Sequence, residues 1–140
     1  MLGIILVTHG NFGKSLLDAA TMILGQNENC TALGIDVSRP MNEIIDELQK
    51  TVKKMDTGHG VLILTDMFGG TPTNISLSLL SHAQTEVITG VNLPMVLKAL
   101  GGRDKNLEQL AQEIKTAGKQ GILVAGDVLK RPAPGSQKKV

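Results

Sequence analysis

The chain has 140 residues, 41% of them hydrophobic, and a formal net charge of +1 at neutral pH. This length predicts one domain with a substantial core, and the absence of Trp and Tyr means that aliphatic side chains must build it. The balanced, dispersed charge argues against a nucleic-acid partner, because binding of nucleic acid needs clustered Lys and Arg.

Apolar runs and helical patterns alternate along the first half of the chain. The run from Gly3 to Thr8 predicts a strand, and an apolar stripe from Phe12 to Leu24 predicts the first helix. A second strand is expected from Thr31 to Val37, followed by a helix with an apolar stripe from Met41 to Met55. The strands are apolar throughout rather than alternating, which predicts that helices cover both faces of the sheet.

The second half continues the alternation. Strands are expected from Gly60 to Thr65 and from Glu86 to Gly90. Between them, Thr71-Pro72 predicts a helix N-cap followed by Pro at the first helical position. Three further elements are a helix capped by Asn92, a helix that begins near Leu107, and a short strand from Ile122 to Ala125.

This order predicts an α/β fold with right-handed crossovers and a mostly parallel sheet. The preferred architecture is a flavodoxin-like three-layer sandwich with strand order 2-1-3-4, plus the C-terminal strand. Residues 1–130 form the expected domain. Residues 131–140, which include Pro132 and Pro134, are expected to be a flexible tail or the start of a linker.

His9 and Asp66 follow the first and third strands, which are neighbours in this strand order. Because ligands bind at the carboxyl ends of parallel strands, both side chains are expected at the ligand-binding edge. A carboxylate that accepts a hydrogen bond from one imidazole nitrogen fixes the tautomer and leaves the other nitrogen free as a nucleophile. We therefore predict His9 and Asp66 as a catalytic pair.

Glycines and helix starts surround this pair in the sequence. Gly69 and Gly70 allow positive φ and close approach of backbone N–H groups to a ligand. Thr71 adds a hydroxyl at a helix start, and Gly10 and Asn11 begin the first helix beside His9. Helix starts bind anions, so these five residues are predicted to bind phosphate.

Each feature alone has an ordinary structural explanation. A single His is often a polar residue at a sheet edge, a single Asp is often a helix cap, and Gly-Gly-Thr-Pro is often an unliganded turn. Their coincidence at one sheet edge favours phosphate chemistry. The three histidines lack metal-ligand spacing, so neither a metal nor a cofactor is expected.

Three motifs together carry a family resemblance. They are Thr8-His9-Gly10, the segment Asp66-x-x-Gly69-Gly70-Thr71-Pro72-x-Asn74, and Gly90-Val91-Asn92-Leu93-Pro94-Met95. From about residue 1 to 130, the chain resembles the mannose-family enzyme IIA of the bacterial phosphoenolpyruvate-dependent sugar phosphotransferase system.

The resemblance implies specific roles and partners. His9 would accept a phosphoryl group from the phosphocarrier protein HPr and pass it to a histidine of an enzyme IIB. Asp66 would pair with the phosphorylated histidine, and Thr71 would lie near the phosphate. Such proteins are cytoplasmic homodimers that exchange a C-terminal strand, which would fit Ile122 to Ala125. Some relatives continue into a IIB domain, so the chain could be freestanding or a fragment.

Three alternatives stay open. A similar domain could sense phosphorylation in a transcription regulator or carry phosphate to dihydroxyacetone kinase. Leu6 to Gly10 is also similar to the start of histidine phosphatases, although Thr8 stands where those enzymes have Arg. A nucleotide-binding flavodoxin-like module is the last alternative, and the lack of Trp and Tyr argues against flavin stacking.

A cytoplasmic location is expected on independent grounds. No apolar run approaches the about 20 residues that a membrane span requires. The N-terminus shows neither the basic region nor the cleavage site of a signal peptide. The single Cys30 cannot form an intramolecular disulfide, which is typical of a reducing compartment.

Overall fold

The computed structural model describes residues 1–80 and 84–130. Strands and helices alternate along the chain in the order β1 (Gly3–His9), α1 (Phe12–Leu24), β2 (Cys30–Ile35), α2 (Met41–Met55), β3 (Val61–Thr65), α3 (Thr71–Leu77), β4 (Thr85–Thr89), α4 (Leu93–Gly101), α5 (Leu107–Gln120) and α6 (Ala125–Lys130). Across the described residues, no helix combines the length and the apolar character that a bilayer span demands.

The four strands form one parallel sheet with the order β2-β1-β3-β4. This is the predicted flavodoxin-like order, and it makes β1 and β3 the two central strands. Val7 of β1 is opposite Thr65 of β3, so the chain leaves both strands at the same level of the sheet. The polar residues that follow these strands therefore start from adjacent backbone positions.

Helices cover both faces of the sheet, as the apolar strands predict. Alternate β1 residues point to opposite sides: Ile4 and Leu6 pack in a cluster with α1, α4 and α5, whereas Ile5 and Val7 pack with α2 and α3. All four side chains are fully buried. Each contributes about 1.5–3 kcal/mol relative to an exposed position, so the central strands form a rigid base for the loops at their ends.

Two predicted boundaries shift in the structure. The second strand ends at Ile35 rather than Val37. The Asp36 carboxylate accepts hydrogen bonds from the backbone N–H and the hydroxyl of Ser38, and this turn ends the strand. The N-cap of α3 is Gly70 rather than Thr71. The backbone of Gly70 adopts φ +82, a left-handed conformation that favours glycine, and the helix starts one residue earlier than the Thr71-Pro72 signal suggests.

The predicted strand from Ile122 to Ala125 is wrong for the single chain. Residues 122–124 form neither helix nor strand, and α6 begins at Ala125. Apolar character alone does not make a strand, because a strand also needs a neighbouring edge to pair with. Residues 131–140, the predicted tail or linker, lie outside the described residues.

A buried arginine binds the amino-terminal ends of β1 and β2, at the opposite end of the strands from His9. The Arg103 guanidinium donates to the carbonyls of Leu2, Glu28 and Asn29, which come from three separate backbone positions around the starts of β1 and β2. Burial lowers the pKa of Arg103, but the guanidinium remains charged at neutral pH. This contact locks the loop before α5 to the amino ends of two strands.

Candidate active site

One carboxylate oxygen holds His9 in two places. Asp66 Oδ2 lies 2.6 Å from His9 Nδ1 and accepts the His9 backbone N–H at 2.8 Å. His9 is the last residue of β1, and Asp66 directly follows β3, so the strand register brings them together. The hydrogen bond to the backbone N–H fixes the position of the His9 main chain, and the hydrogen bond to Nδ1 fixes the orientation of the imidazole ring.

This contact assigns the two ring nitrogens of His9. A carboxylate can only accept, so Nδ1 carries the proton in the hydrogen bond to Asp66. In the neutral ring, Nε2 is then the unprotonated nitrogen and bears the lone pair. The His9 side chain is 46% exposed and that of Asp66 only 14% exposed. The unprotonated Nε2 therefore belongs to a half-exposed side chain, while the carboxylate that orients the ring is largely enclosed.

Opposing effects set the pKa of Asp66. Burial raises the pKa of the carboxyl group, but hydrogen bonds from the His9 backbone and ring, together with the charge of His9, lower it. The net result is a pKa below the ordinary value for aspartate. Asp66 is consequently ionised at neutral pH and can stabilise positive charge that builds on the imidazole.

The loop between β3 and α3 lies against the free nitrogen. A Cβ atom placed on Gly70 would be 3.4 Å from His9 Cε1 and 3.7 Å from Nε2, so the Gly70 backbone passes beside this side of the ring. Gly69 also has positive φ, and a Cβ atom there would meet nothing within 4 Å. The loop thus lies against the ring at Gly70 and borders open space at Gly69.

The other predicted phosphate-binding residues lie at the same sheet edge. Thr71 is the first residue of α3, and Gly10 and Asn11 join β1 to α1. Asn11 is the N-cap of α1, but its side chain makes no capping hydrogen bond. A Cβ atom on Gly10 would meet nothing within 4 Å. These residues surround open space at the sheet edge, and their role in phosphate binding remains a prediction.

Two packing features of the site carry no recognisable signal in the sequence. The Thr8 hydroxyl accepts the Gly13 N–H at 2.8 Å, and this bond ties the end of β1 to the first turn of α1. Gly34 of β2 lets the loop after β1 pack closely, because a Cβ atom there would be 2.4 Å from the Gly10 carbonyl oxygen. Neither contact follows from local pattern, since both depend on tertiary packing.

Three exposed apolar side chains lie in the segments that directly follow His9 and Asp66. Phe12 at the start of α1 is 47% exposed, and Met67 and Phe68 in the loop after β3 are 54% and 77% exposed. These two phenylalanines are the only aromatic residues in the whole chain. We call Phe12, Met67 and Phe68 the apolar rim. Across residues 1–80 and 84–130, no group of three or more His, Cys, Asp or Glu residues could hold a metal ion.

Fold and site together define a flavodoxin-like α/β protein with a carboxylate-oriented histidine at the carboxyl edge of its sheet. The family model described as "PTS system fructose IIA component" matches residues 3–117. The mannose-specific EIIAB component of Escherichia coli is 33% identical over 141 residues, which cover 96% of this chain but 44% of that protein. The chain therefore spans less than half the length of this relative.

Two further comparisons cover nearly the whole of the related protein. The fructose-specific EIIA component of Bacillus subtilis is 29% identical, and the alignment covers 98% of this chain and 95% of that protein. A crystal structure of a phosphotransferase system EIIA component from Streptococcus agalactiae superimposes with a TM-score of 0.82 at 28% identity, over 90% of this chain and 98% of that one.

The chain belongs to the family of IIA components of the sugar phosphotransferase system (PTS), whose model covers most of its length. Components of this kind are phosphotransferases that act in sugar uptake. This result confirms the family that the three sequence motifs indicated.

We predict that the contribution of Asp66 to stability depends on pH. Because its pKa is lowered in the folded protein, ionised Asp66 stabilises the fold above the ordinary aspartate pKa of about 3.9, and this contribution disappears as pH falls through the lowered value. The free energies of unfolding of wild type and Asp66→Asn, measured in urea, should therefore differ most near neutral pH and become equal in acid. A constant difference from neutral to acidic pH would contradict this account of the pair.

Proposed function

We propose that His9 accepts a phosphoryl group from phospho-HPr and passes it to a histidine of an enzyme IIB, in the cytoplasm and during sugar uptake. The observation that carries this proposal is the 2.6 Å contact between His9 Nδ1 and Asp66 Oδ2. This contact leaves the exposed Nε2 as the nucleophile. The family membership supports the choice of HPr and a IIB component as the partners.

The proposed step is a direct displacement at phosphorus. The lone pair of His9 Nε2 forms a new N–P bond while the bond between phosphorus and the donor nitrogen breaks, and its electron pair returns to the donor ring. His9 keeps its Nδ1 proton, and ionised Asp66 stabilises the positive charge on the ring. The same steps in reverse pass the group to the next histidine.

Backbone groups at the sheet edge suit the incoming phosphate. Its oxygens carry negative charge; Gly70 lies against the ring on the side of Nε2, and α1 starts three residues after His9. Helix starts and positive-φ loops present backbone N–H donors to anions. We assign Gly10, Asn11, Gly69, Gly70 and Thr71 to phosphate binding on this basis.

The apolar rim supports a protein as donor and acceptor. A small donor needs only the phosphate-binding groups, whereas a protein must cover the surface around His9 to bring its phosphoryl group to Nε2. Exposed aromatic residues at the centre of a surface are typical anchors of protein interfaces. We therefore assign Phe12, Met67 and Phe68 to the docking of HPr and enzyme IIB.

We further propose that the chain acts as a homodimer that exchanges its C-terminal segment. Among the described strands, β4 is at the edge of the sheet, and a groove of about 440 Å³ runs beside it, lined by residues that include Val87, Ile88 and Ile122. Ile122, Leu123 and Val124 are each at least two-thirds exposed. Pairing of this segment with β4 of a second copy would bury both apolar surfaces.

The first prediction concerns the phosphorylated residue. Incubation with phosphoenolpyruvate, enzyme I and HPr should add one phosphate per chain, because of the two histidines that the structure describes, His9 and His59, only His9 has an orienting carboxylate. His9→Ala should abolish labelling, and Asp66→Ala should slow it by about 100-fold or more through loss of the orienting group. Phosphopeptide mapping would check the position. The matched control is His59→Ala, which should label normally; full labelling of His9→Ala would refute the proposal.

A second prediction separates docking from chemistry. Phe68→Ala should slow phosphorylation by subsaturating phospho-HPr about tenfold, because an anchor of the interface is lost. With the small donor phosphoramidate, the same variant should react within about twofold of wild type, since the groups at Nε2 are intact. Met22→Ala, which truncates an equally apolar and 88% exposed side chain on α1, serves as control. Equal losses with both donors would exclude a docking role.

The third prediction concerns assembly. Sedimentation should show a dimer for wild type and a monomer for Leu123→Asp, because a charge in the exchanged segment cannot be buried against β4. Gln120→Asp introduces the same charge at an exposed position at the end of α5 and should remain dimeric. A monomeric wild type, or a dimeric Leu123→Asp variant, would count against exchange of this segment.

A further inference from the structure

Two buried threonines tie the loop that carries Asp66 to the helix that follows it. Thr65 is the last residue of β3, Thr73 lies in the first turn of α3, and both are fully buried. Their hydroxyl oxygens are 2.7 Å apart, and Thr73 also contacts the carbonyl of Met67. The bond between Thr73 and Met67 joins residues on either side of the Gly69-Gly70 segment.

The direction of each hydrogen bond follows from the donors present. A carbonyl can only accept, so the single hydroxyl hydrogen of Thr73 points to the Met67 oxygen. The contact between the two hydroxyls must then be donated by Thr65 to Thr73. The hydrogen bonds therefore run from the Thr65 hydroxyl to the Thr73 hydroxyl and from there to the Met67 carbonyl.

These hydrogen bonds fix the orientation of one peptide group in the loop. The carbonyl of Met67 is held inward by Thr73, and the N–H of the same trans peptide, on Phe68, points in the opposite direction. Within the described residues, no backbone–backbone hydrogen bond holds residues 67–69. Without the Thr73 hydroxyl, the two glycines that follow would let this peptide turn and expose a carbonyl oxygen.

The peptide orientation matters because the same loop flanks the reacting nitrogen. Gly70 lies against the His9 ring on the side of Nε2, three residues after Met67. An outward carbonyl would present negative charge to a phosphate, whereas an inward carbonyl does not. Preorganised dipoles near a site of developing charge have large effects on rate.

We infer that Thr73 is a positioning residue for phosphoryl transfer: its hydroxyl holds the Met67 carbonyl away from the phosphate and so keeps the loop beside His9 receptive to an anion. This inference rests on the proposed function of His9. Thr73 touches neither the imidazole nor the phosphate in this account, and it acts only through the loop.

The test measures His9 phosphorylation by saturating phosphoramidate in the full-length chain. In this reaction the N–P bond of phosphoramidate breaks, ammonia leaves, and phosphorus bonds to Nε2. Thr73→Val, which keeps the shape but removes the hydroxyl, should lower the rate constant about tenfold, and Thr73→Ser should restore it to within about twofold. Thr65→Val should cost less, because the hydrogen bond from Thr73 to Met67 remains.

The matched control is Ser76→Ala. Ser76 is also fully buried in α3, and its hydroxyl donates to the Pro72 carbonyl at 2.7 Å without contacting the loop. This variant should lose stability in urea but keep the wild-type rate constant. If Thr73→Val unfolds, Thr73→Ala replaces it in the comparison.

The outcomes separate the role of Thr73 from the function of His9. An unchanged rate constant for folded Thr73→Val or Thr73→Ala overturns the positioning role and leaves the proposed function intact. If the rate constant falls equally in Ser76→Ala, the effect of Thr73 is one of general stability, and the positioning role is also overturned. A wild-type chain that neither phosphoramidate nor phospho-HPr phosphorylates at His9 removes the proposed function itself; where only phospho-HPr reacts, the Thr73 comparison is made with saturating phospho-HPr.

Discussion

The site depends on one carboxylate oxygen that binds two donors of the same residue. Asp66 Oδ2 accepts both the backbone N–H and the ring Nδ1 of His9, so the main chain and the side chain are fixed by a single group. That geometry requires the ends of β1 and β3 to be adjacent and level, which the pairing of Val7 with Thr65 provides. The chemistry is therefore linked directly to the sheet order, and a different topology would separate the two residues.

The distribution of side-chain types follows a division between rigid core and exposed site. Fully buried aliphatic residues build both faces of β1 and β3, which holds the sheet edge in place. The two phenylalanines of the chain, Phe12 and Phe68, are instead exposed, in the segments that follow His9 and Asp66. A protein core normally buries such side chains, and their exposure is the observation that supports the proposed docking of protein partners.

The sequence predicted those parts of the structure that depend on local pattern and chain topology. Apolar strands alternating with amphipathic helices were sufficient for the sheet order, and the order was sufficient to bring His9 and Asp66 together. The segment from Ile122 was predicted wrongly, because its apolar pattern is that of a strand whereas pairing depends on a neighbour. The roles of Thr73 and Arg103 were missed, since their partners are carbonyl groups, and the chain sequence does not indicate which carbonyls will face a given side chain.

The environment of Thr8 separates a phosphate carrier from a phosphatase. In the histidine phosphatase alternative, an arginine at this position would bind the substrate phosphate. Here the Thr8 side chain is fully buried, and its hydroxyl accepts the Gly13 N–H at the start of α1. The position therefore faces the protein interior and not the phosphate. In the proposed function, backbone donors without a fixed cation would stabilise the phosphoryl group less strongly, which suits a protein that passes the group on.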